Sequence, residues 1–309
     1  MKSRERNKPM EYYIDLGSST IKTYLCKEKS IQPQLIEEKS ILFKDYFTQE
    51  NGISHKNYIL LLSYFKDLTT RYTLSIGNCK MYATGIWRKI PKEQLEVLKA
   101  DFAELNLKFH VISQEEENYY FEKAMQGIYD RKRVLMVNMG GKTTELVVFD
   151  KGNVIERKNL SIGVAEIMNN FPEINDENQS LKIEDILKYA LNILKEENLE
   201  WNCDCGIFTG GELRYQQLVK YHLVPNCIFH DGIHEFMISY EDFAKKNQEI
   251  LEQMTLDDLY ILMPHNQKWM DGAKAGSILA QAIFLKAKVP YIIPSDLNII
   301  NGIVKLERK

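Results

Sequence analysis

Two short turns made mostly of glycine, serine and threonine are the parts of this sequence best suited to bind phosphate. Each follows a strand-like run, the first ending at Asp15 and the second at Asn138. A tight turn of small residues presents several backbone N–H groups and hydroxyls on one side, which is the donor array that phosphate oxygens need. One such turn alone is typical of an ordinary hairpin, but two at matching positions favour phosphate binding. The first turn contains Gly17, Ser18 and Ser19, and the second contains Gly140, Gly141, Lys142, Thr143 and Thr144.

Acidic residues accompany these turns. The carboxylate of Asp15 could hold Mg²⁺ or position a water molecule, although an aspartate also starts turns readily. Farther along, Ser113 precedes three glutamates, and its spacing to Glu116 predicts a capping box that starts a helix. An acidic first turn also suits the dipole of that helix.

Strand-like and helical runs alternate in both halves of the sequence. The hairpin at 12–25 corresponds to a second hairpin at 133–150, pairing Asp15 with Asn138 and Lys22 with Glu145. This organisation predicts an α/β protein with a duplicated domain and a cleft between the duplicates. We place the domains at 1–125 and 126–309, and leave open whether the last helix packs back on the first. Helical spacing of apolar residues predicts helices at 57–72, 93–105, 180–198 and 272–287.

Composition excludes several classes of protein. The 309 residues contain only 16 Gly and 8 Pro, which argues against low-complexity and collagen-like chains. A net charge of −3 leaves no basic field for nucleic acid. The first ten residues lack the apolar segment of a secretory signal, and no apolar run reaches the ~20 residues of a membrane span. We therefore expect a cytoplasmic protein with neither nucleic-acid nor membrane partners, and a homodimer remains an open alternative to a monomer.

Seven segments occur along the chain in the order YIDLGSST, YATGIWR, VISQEEENYYFEKAMQGI, VNMGGKTTEL, NLSIGVAEI, FTGGELR and SDLNIINGIV. In this order they resemble the exopolyphosphatase and guanosine pentaphosphate phosphohydrolase family. The resemblance covers nearly the whole chain and corresponds to the short form of the family, without additional C-terminal helical domains. It implies two duplicated ribonuclease H-like (actin-type) domains, as in acetate kinase, sugar kinases, actin and heat-shock chaperones, with a central substrate cleft.

The resemblance also implies roles for individual residues. Glu117 matches the family's catalytic base, which deprotonates the water that attacks a terminal phosphorus. Arg88 matches an arginine that holds phosphate oxygens. The two turns and Gly211 would bind phosphate, and a divalent cation, Mg²⁺, would bind near Asp15, Asn138 and Glu145. A solvated surface position is the alternative for both Glu117 and Arg88.

The second turn departs from the family pattern, which runs Asp-x-Gly-Gly-Gly-Ser-Thr-Glu. Asn138 replaces the aspartate and Lys142 replaces the third glycine, so one negative charge is lost and one positive charge is gained. We hypothesise that Lys142 neutralises phosphate where a metal ion otherwise would. Elsewhere, Glu212 replaces a threonine that follows the paired glycines.

Three functions follow from the resemblance. The first is a phosphohydrolase that releases terminal orthophosphate from inorganic polyphosphate, or the 5′ γ-phosphate from guanosine pentaphosphate. The second is a catalytically weakened relative that binds phosphate chains or guanosine tetraphosphate and acts as a regulator. A kinase of the same superfamily is disfavoured, because no sugar-binding or adenosine-binding insertion is recognisable.

Overall fold

A computed structural model of the chain describes residues 10–27, 30–127, 129, 131–177, 180–264 and 266–308. The chain divides into two compact units. The first comprises the chain up to Ala124 together with the segment from Asn298 onward, and the second comprises Met125–Leu297. Within the described ranges, no helix is both long enough and apolar enough to cross a membrane.

The first unit is built on a five-stranded sheet. Its strands are β1 (Glu11–Leu16), β2 (Thr20–Cys26), β3 (Gln34–Ser40), β4 (Cys79–Ala83) and β5 (Phe109–Val111), in the order β3-β2-β1-β4-β5. The helices are α1 (His55–Tyr72), α2 (Lys92–Glu104) and α3 (Gln114–Met125), with a short 3₁₀-helix at Gly85–Lys89. Helix α1 begins where the Ser54 side chain accepts the N–H of Asn57, and it buries Leu61, Phe65 and Leu68 at helical spacing.

The second unit is built on a seven-stranded sheet in the order β10-β11-β12-β9-β6-β7-β8. Its strands are β6 (Arg133–Met139), β7 (Thr144–Asp150), β8 (Asn153–Leu160), β9 (Cys205–Thr209), β10 (Val224–Pro225), β11 (Phe236–Ser239) and β12 (Tyr291–Ser295). Its helices are α4 (Val164–Asn170), α5 (Ile183–Ile193), α6 (Glu212–Leu218), α7 (Tyr240–Gln253), α8 (Leu256–Leu262), α9 (Gln267–Met270) and α10 (Ala273–Lys286). Helix α10 is buried along most of its length.

The two sheets repeat one topology, which confirms the predicted duplication. In the first, β1 pairs antiparallel with β2 and parallel with β4. In the second, β6 pairs antiparallel with β7 and parallel with β9. Asp15 faces Lys22 across the first hairpin and Asn138 faces Glu145 across the second. These corresponding pairs confirm the alignment of the two hairpins, and the repeated sheet topology agrees with the predicted α/β protein with a duplicated domain.

The last helix, α11 (Ile299–Glu307), belongs to the first unit. It begins at Asn298, whose side-chain amide donates to the Tyr24 hydroxyl at 2.8 Å. It approaches α3 so closely that a Cβ added at Gly302 would lie 1.7 Å from the carbonyl oxygen of Tyr120. Glycine at position 302 is therefore what permits this helix to pack against α3.

Helix α7 was not among the predicted helices. It begins at Ser239, whose hydroxyl accepts the N–H of Asp242 at 3.0 Å. Its buried positions include Phe243, Ile250 and Leu251. The serine cap and the spacing of the apolar residues are both visible in the sequence. The many polar residues between the apolar positions obscured the helical pattern.

Candidate functional site

The first glycine-serine turn is held in place by the 3₁₀-helix at Gly85–Lys89. The carbonyl of Gly17 accepts the indole N–H of Trp87 at 3.0 Å, and the hydroxyl of Ser18 accepts the N–H of Ile86 at 3.1 Å. Gly85 has φ +64°, and a Cβ there would lie 2.2 Å from the Ser18 hydroxyl. The glycine therefore allows both the left-handed backbone and the close approach. Two hydrogen bonds therefore join the turn to the 3₁₀-helix.

Arg88 lies in this 3₁₀-helix and forms an ion pair with Glu117. The Arg88 Nη1 atom donates to the Glu117 Oε2 atom at 2.7 Å, and both side chains are about three-quarters buried. Glu117 stands in the first turn of α3. The predicted capping box is confirmed there, with the N–H of Glu116 donating to Ser113 Oγ at 3.0 Å and the N–H of Ser113 donating to Glu116 Oε2 at 2.8 Å. Glu116 is thus used to start the helix, which leaves Glu117 to face Arg88.

Asp15 lies near the end of β1, close enough to Glu117 for the charge of Glu117 to affect the pKa of its carboxyl group. Burial raises the pKa of Asp15 to about 6, opposed by the charge of Lys22 and reinforced by that of Glu117. The structure therefore brings Asp15, Arg88, Glu117 and the first turn into one region of the first unit. Since its surroundings disfavour the charge of Asp15, a cation at this carboxylate would stabilise the ionised form.

The second turn is an exposed loop attached to the start of α4. Its carbonyls accept backbone N–H groups from that helix, Val164 donating to Gly140 at 3.1 Å and Ala165 donating to Gly141 at 2.8 Å. A Cβ at Gly163 would lie 2.4 Å from the Gly140 oxygen, so only glycine allows the helix to approach the loop this closely. Inside the loop, the N–H of Gly140 donates to the carbonyl of Thr143 at 2.8 Å.

Individual side chains of the second loop have different surroundings. Gly140, Gly141, Lys142 and Thr143 are exposed. None of these four residues has a positive φ, so a lysine at position 142 strains no backbone. Thr144 is buried, and its hydroxyl donates to the carbonyl of Ile162 at 2.8 Å. The side chain of Thr144 therefore fixes the base of the loop, while the exposed tip carries a positive charge.

Asn138 and Glu145 are hydrogen-bonded at the base of this loop. The Asn138 amide donates to the Glu145 Oε2 atom at 2.7 Å. The amide thus satisfies one carboxylate oxygen that a cation would otherwise contact. No group of three His, Cys, Asp or Glu residues capable of holding a metal ion occurs within the described ranges. Carboxylate oxygens are preferred ligands of divalent cations, so Asp15 in the first unit and Glu145 in the second stay predicted ligands.

The paired glycines after β9 lie beside Asn138. Because β9 runs parallel to β6 with Thr209 opposite Asn138, both strands end at one edge of the sheet. Gly210 and Gly211 have φ +115° and +102°, conformations that favour glycine. A Cβ at Gly210 would lie 4.0 Å from the Asn138 Oδ1 atom. The structure therefore brings the predicted phosphate-binding residue Gly211 to the same edge as the second loop.

Glu212, the first residue of α6, is buried. Only 7% of its surface is exposed, and its Oε2 atom has no hydrogen-bond partner among the residues that the structure describes. Burial raises the pKa of Glu212 well above its ordinary value, and the charge of Asp296 raises it further. The threonine of the family pattern has no carboxyl group, so its burial would not carry the cost of removing a charge from water.

We expect Glu212→Gln to stabilise the second unit at neutral and alkaline pH. A raised pKa means that the native state keeps a proton that the unfolded chain has lost, so the free energy of unfolding falls as pH rises above the ordinary glutamate pKa. The neutral isostere should remove that fall, raising the free energy of unfolding at pH 8 by about 1.4 kcal/mol for each pH unit by which the native pKa exceeds the ordinary one, up to the pH of the measurement. Urea unfolding at several pH values measures this, with the exposed Glu184→Gln in α5 as control. An unchanged pH dependence in Glu212→Gln would contradict it.

Gln114 and Asn118 were not identified from the sequence, although both contribute to the site. Gln114 accepts from Arg88, and its own amide donates to the Asn118 Oδ1 atom at 3.0 Å. Their spacing of four along α3 was the available signal, because such residues meet on one helix face. Trp87 was also missed as the indole that holds the first turn.

Comparison with known proteins yields one family. The model of the Ppx/GppA phosphatase family matches residues 28–300. No curated protein sequence matches the chain.

Solved structures resemble the fold over nearly the whole chain. The type II variant of the Aquifex aeolicus Ppx/GppA phosphatase is 18% identical, with a TM-score of 0.71 over 97% of this chain and 99% of that one. An exopolyphosphatase from Cytophaga hutchinsonii is 15% identical, with a TM-score of 0.71 over 97% of this chain and 98% of that one. At these identities the likeness establishes the two-domain actin-like fold.

Proposed function

The chain belongs to the Ppx/GppA phosphatase family, and we propose that it is a phosphohydrolase that releases terminal orthophosphate. Its proposed substrates are inorganic polyphosphate, guanosine pentaphosphate, or both. The observation that carries this proposal is the 2.7 Å ion pair between Arg88 and Glu117 beside the first glycine-serine turn. A carboxylate that can take a proton and a guanidinium that can hold phosphate oxygens are thus in direct contact.

In the proposed reaction, water attacks the terminal phosphorus in line with the leaving phosphate. Glu117 accepts a proton from that water, and Arg88 holds the oxygens on which negative charge accumulates. In the first unit, the turn at Gly17, Ser18 and Ser19 is proposed to donate N–H groups to phosphate. In the second unit, Gly140, Gly141, Lys142, Thr143 and Gly211 are proposed to supply N–H groups and positive charge to phosphate. Asp15 would hold a divalent cation, Mg²⁺, which when bound neutralises phosphate oxygens.

The contacts of the second loop bear on which group neutralises phosphate in each unit. The Asn138 amide donates to one carboxylate oxygen of Glu145, while Lys142 is exposed at the tip. We propose that Lys142 neutralises phosphate in the second unit and that the cation acts from Asp15 in the first. The same two substitutions are also what a regulatory protein that binds without hydrolysis would show.

Incubation with long-chain polyphosphate and with guanosine pentaphosphate, with and without Mg²⁺, tests the proposal. Orthophosphate release by the wild-type protein, followed by colorimetry, is the expected result, and the preferred substrate follows from the ratio of kcat/KM values. Binding of either compound without release would contradict hydrolysis and support the regulatory function. Transfer of phosphate to an added nucleotide would indicate a kinase.

A further inference from the structure

Gln114 contacts the guanidinium of Arg88 on a different nitrogen from Glu117. The Arg88 Nη2 atom donates to the Gln114 Oε1 atom at 2.6 Å, and the Nη1 atom donates to Glu117 at 2.7 Å. The carbonyl of Ile112 accepts a further, longer bond from Nη1 at 3.4 Å. Three protein acceptors, therefore, surround the guanidinium.

The orientation of the Gln114 amide is itself determined. Its nitrogen donates to the Asn118 Oδ1 atom at 3.0 Å, one helical turn farther along α3. Since that contact occupies the nitrogen end, the oxygen end is directed at Arg88. Asn118, Gln114 and Arg88 form a relay of hydrogen bonds from the helix to the guanidinium.

Some N–H groups of the Arg88 guanidinium are not used by Gln114, Glu117 or Ile112. A guanidinium has five N–H donors, of which two on Nη1 and one on Nη2 are used. The Nε–H and the second Nη2–H have no acceptor among the residues that the structure describes. Two N–H groups on one edge of a guanidinium match two oxygens of a phosphate.

We infer that Gln114 is a positioning residue, which together with Asn118 holds Arg88 so that one edge binds Glu117 and another binds the terminal phosphate. The inference rests on the proposed function. A neutral amide suits this role, because it orients the guanidinium without competing with phosphate for its charge. Without the relay, the guanidinium is free to turn both Nη atoms towards the Glu117 carboxylate. Glu117 would then be less available as a base, and Arg88 would no longer face the phosphate.

The test measures binding of inorganic tripolyphosphate by calorimetry and hydrolysis of polyphosphate separately. Gln114→Met, which keeps the length of the side chain and lacks its acceptor, should weaken tripolyphosphate binding roughly five- to tenfold and lower kcat as well. Asn118→Leu should have a smaller effect of the same sign, and should add nothing when combined with Gln114→Met. Gln248→Met is the matched control, since Gln248 is exposed on α7 and donates to Glu252 at 2.9 Å in the same spacing of four.

A double-mutant cycle shows whether Gln114 acts through Arg88. In an Arg88→Ala background, Gln114→Met should no longer change tripolyphosphate binding. An effect of Gln114→Met that persists undiminished there overturns the inference, as does unchanged binding in the single variant. Those results leave the proposed function intact if the wild-type protein still hydrolyses polyphosphate. Absence of both binding and hydrolysis in the wild type would overturn the proposed function and this inference with it.

Discussion

Glu117→Gln should lower the rate of orthophosphate release by roughly 10²–10⁴-fold, the usual contribution of a positioned general base. The amide keeps the shape of the side chain, and its oxygen can still accept from Arg88, but it cannot take a proton from water. Tripolyphosphate binding should therefore be retained within a few-fold. Steady-state kinetics on polyphosphate, with binding measured by calorimetry, checks both parts.

Glu115→Gln is the control for this experiment. Glu115 lies in the same helical turn and is exposed, so the substitution removes an identical charge two residues away from the proposed base. It should leave turnover within a few-fold of the wild type. Equal losses in the two variants, or full activity in Glu117→Gln, would exclude Glu117 as the base.

Asn138→Asp should lower the stability of the metal-free protein by about 1–3 kcal/mol and make it sensitive to Mg²⁺. The present amide donates to Glu145 at 2.7 Å; the variant would replace that hydrogen bond with two facing carboxylates, which repel each other. Binding of Mg²⁺ between them should restore the lost stability. Urea unfolding in chelator and in millimolar Mg²⁺ measures the difference.

Two further variants show whether charge is the cause. Adding Glu145→Gln to Asn138→Asp should restore metal-free stability and remove the response to Mg²⁺. Adding Lys142→Gly to Asn138→Asp completes the family pattern at both positions and should make polyphosphate hydrolysis more strongly dependent on Mg²⁺. If activity and metal requirement stay unchanged in that double variant, the proposed role of Lys142 is wrong.

Much of the fold could be predicted because strong local signals coincide with the final structure. Both hairpins follow from strand-like runs around small-residue turns, and their equivalence appears in the pairs Asp15 with Lys22 and Asn138 with Glu145. Helix α7 was missed, since its apolar positions are separated by charged residues. The predicted helix at 180–198 is shorter in the structure, where α5 ends at Ile193 and a 3₁₀ turn follows.

The proximity of some candidate site residues could be predicted from their types and positions in motifs, while their roles stay predictions. Arg88 and Glu117 were identified from motifs that are 29 residues apart in the chain, and the structure places them in contact. The relay through Gln114 could not be foreseen, because it depends on where the 3₁₀-helix places Arg88 relative to α3. The buried hydroxyl of Thr144 is a similar case, since its partner is the carbonyl of Ile162, which follows the neighbouring strand β8.

Hydrolysis of polyphosphate in ¹⁸O-labelled water tests the central claim most directly. If Glu117 activates water for attack on the terminal phosphorus, each released orthophosphate should carry one oxygen from the solvent, and Glu117→Gln should release almost none. Mass spectrometry of the released phosphate measures the label. Release of unlabelled orthophosphate, or no release by the wild-type protein under any of the conditions above, would contradict the account.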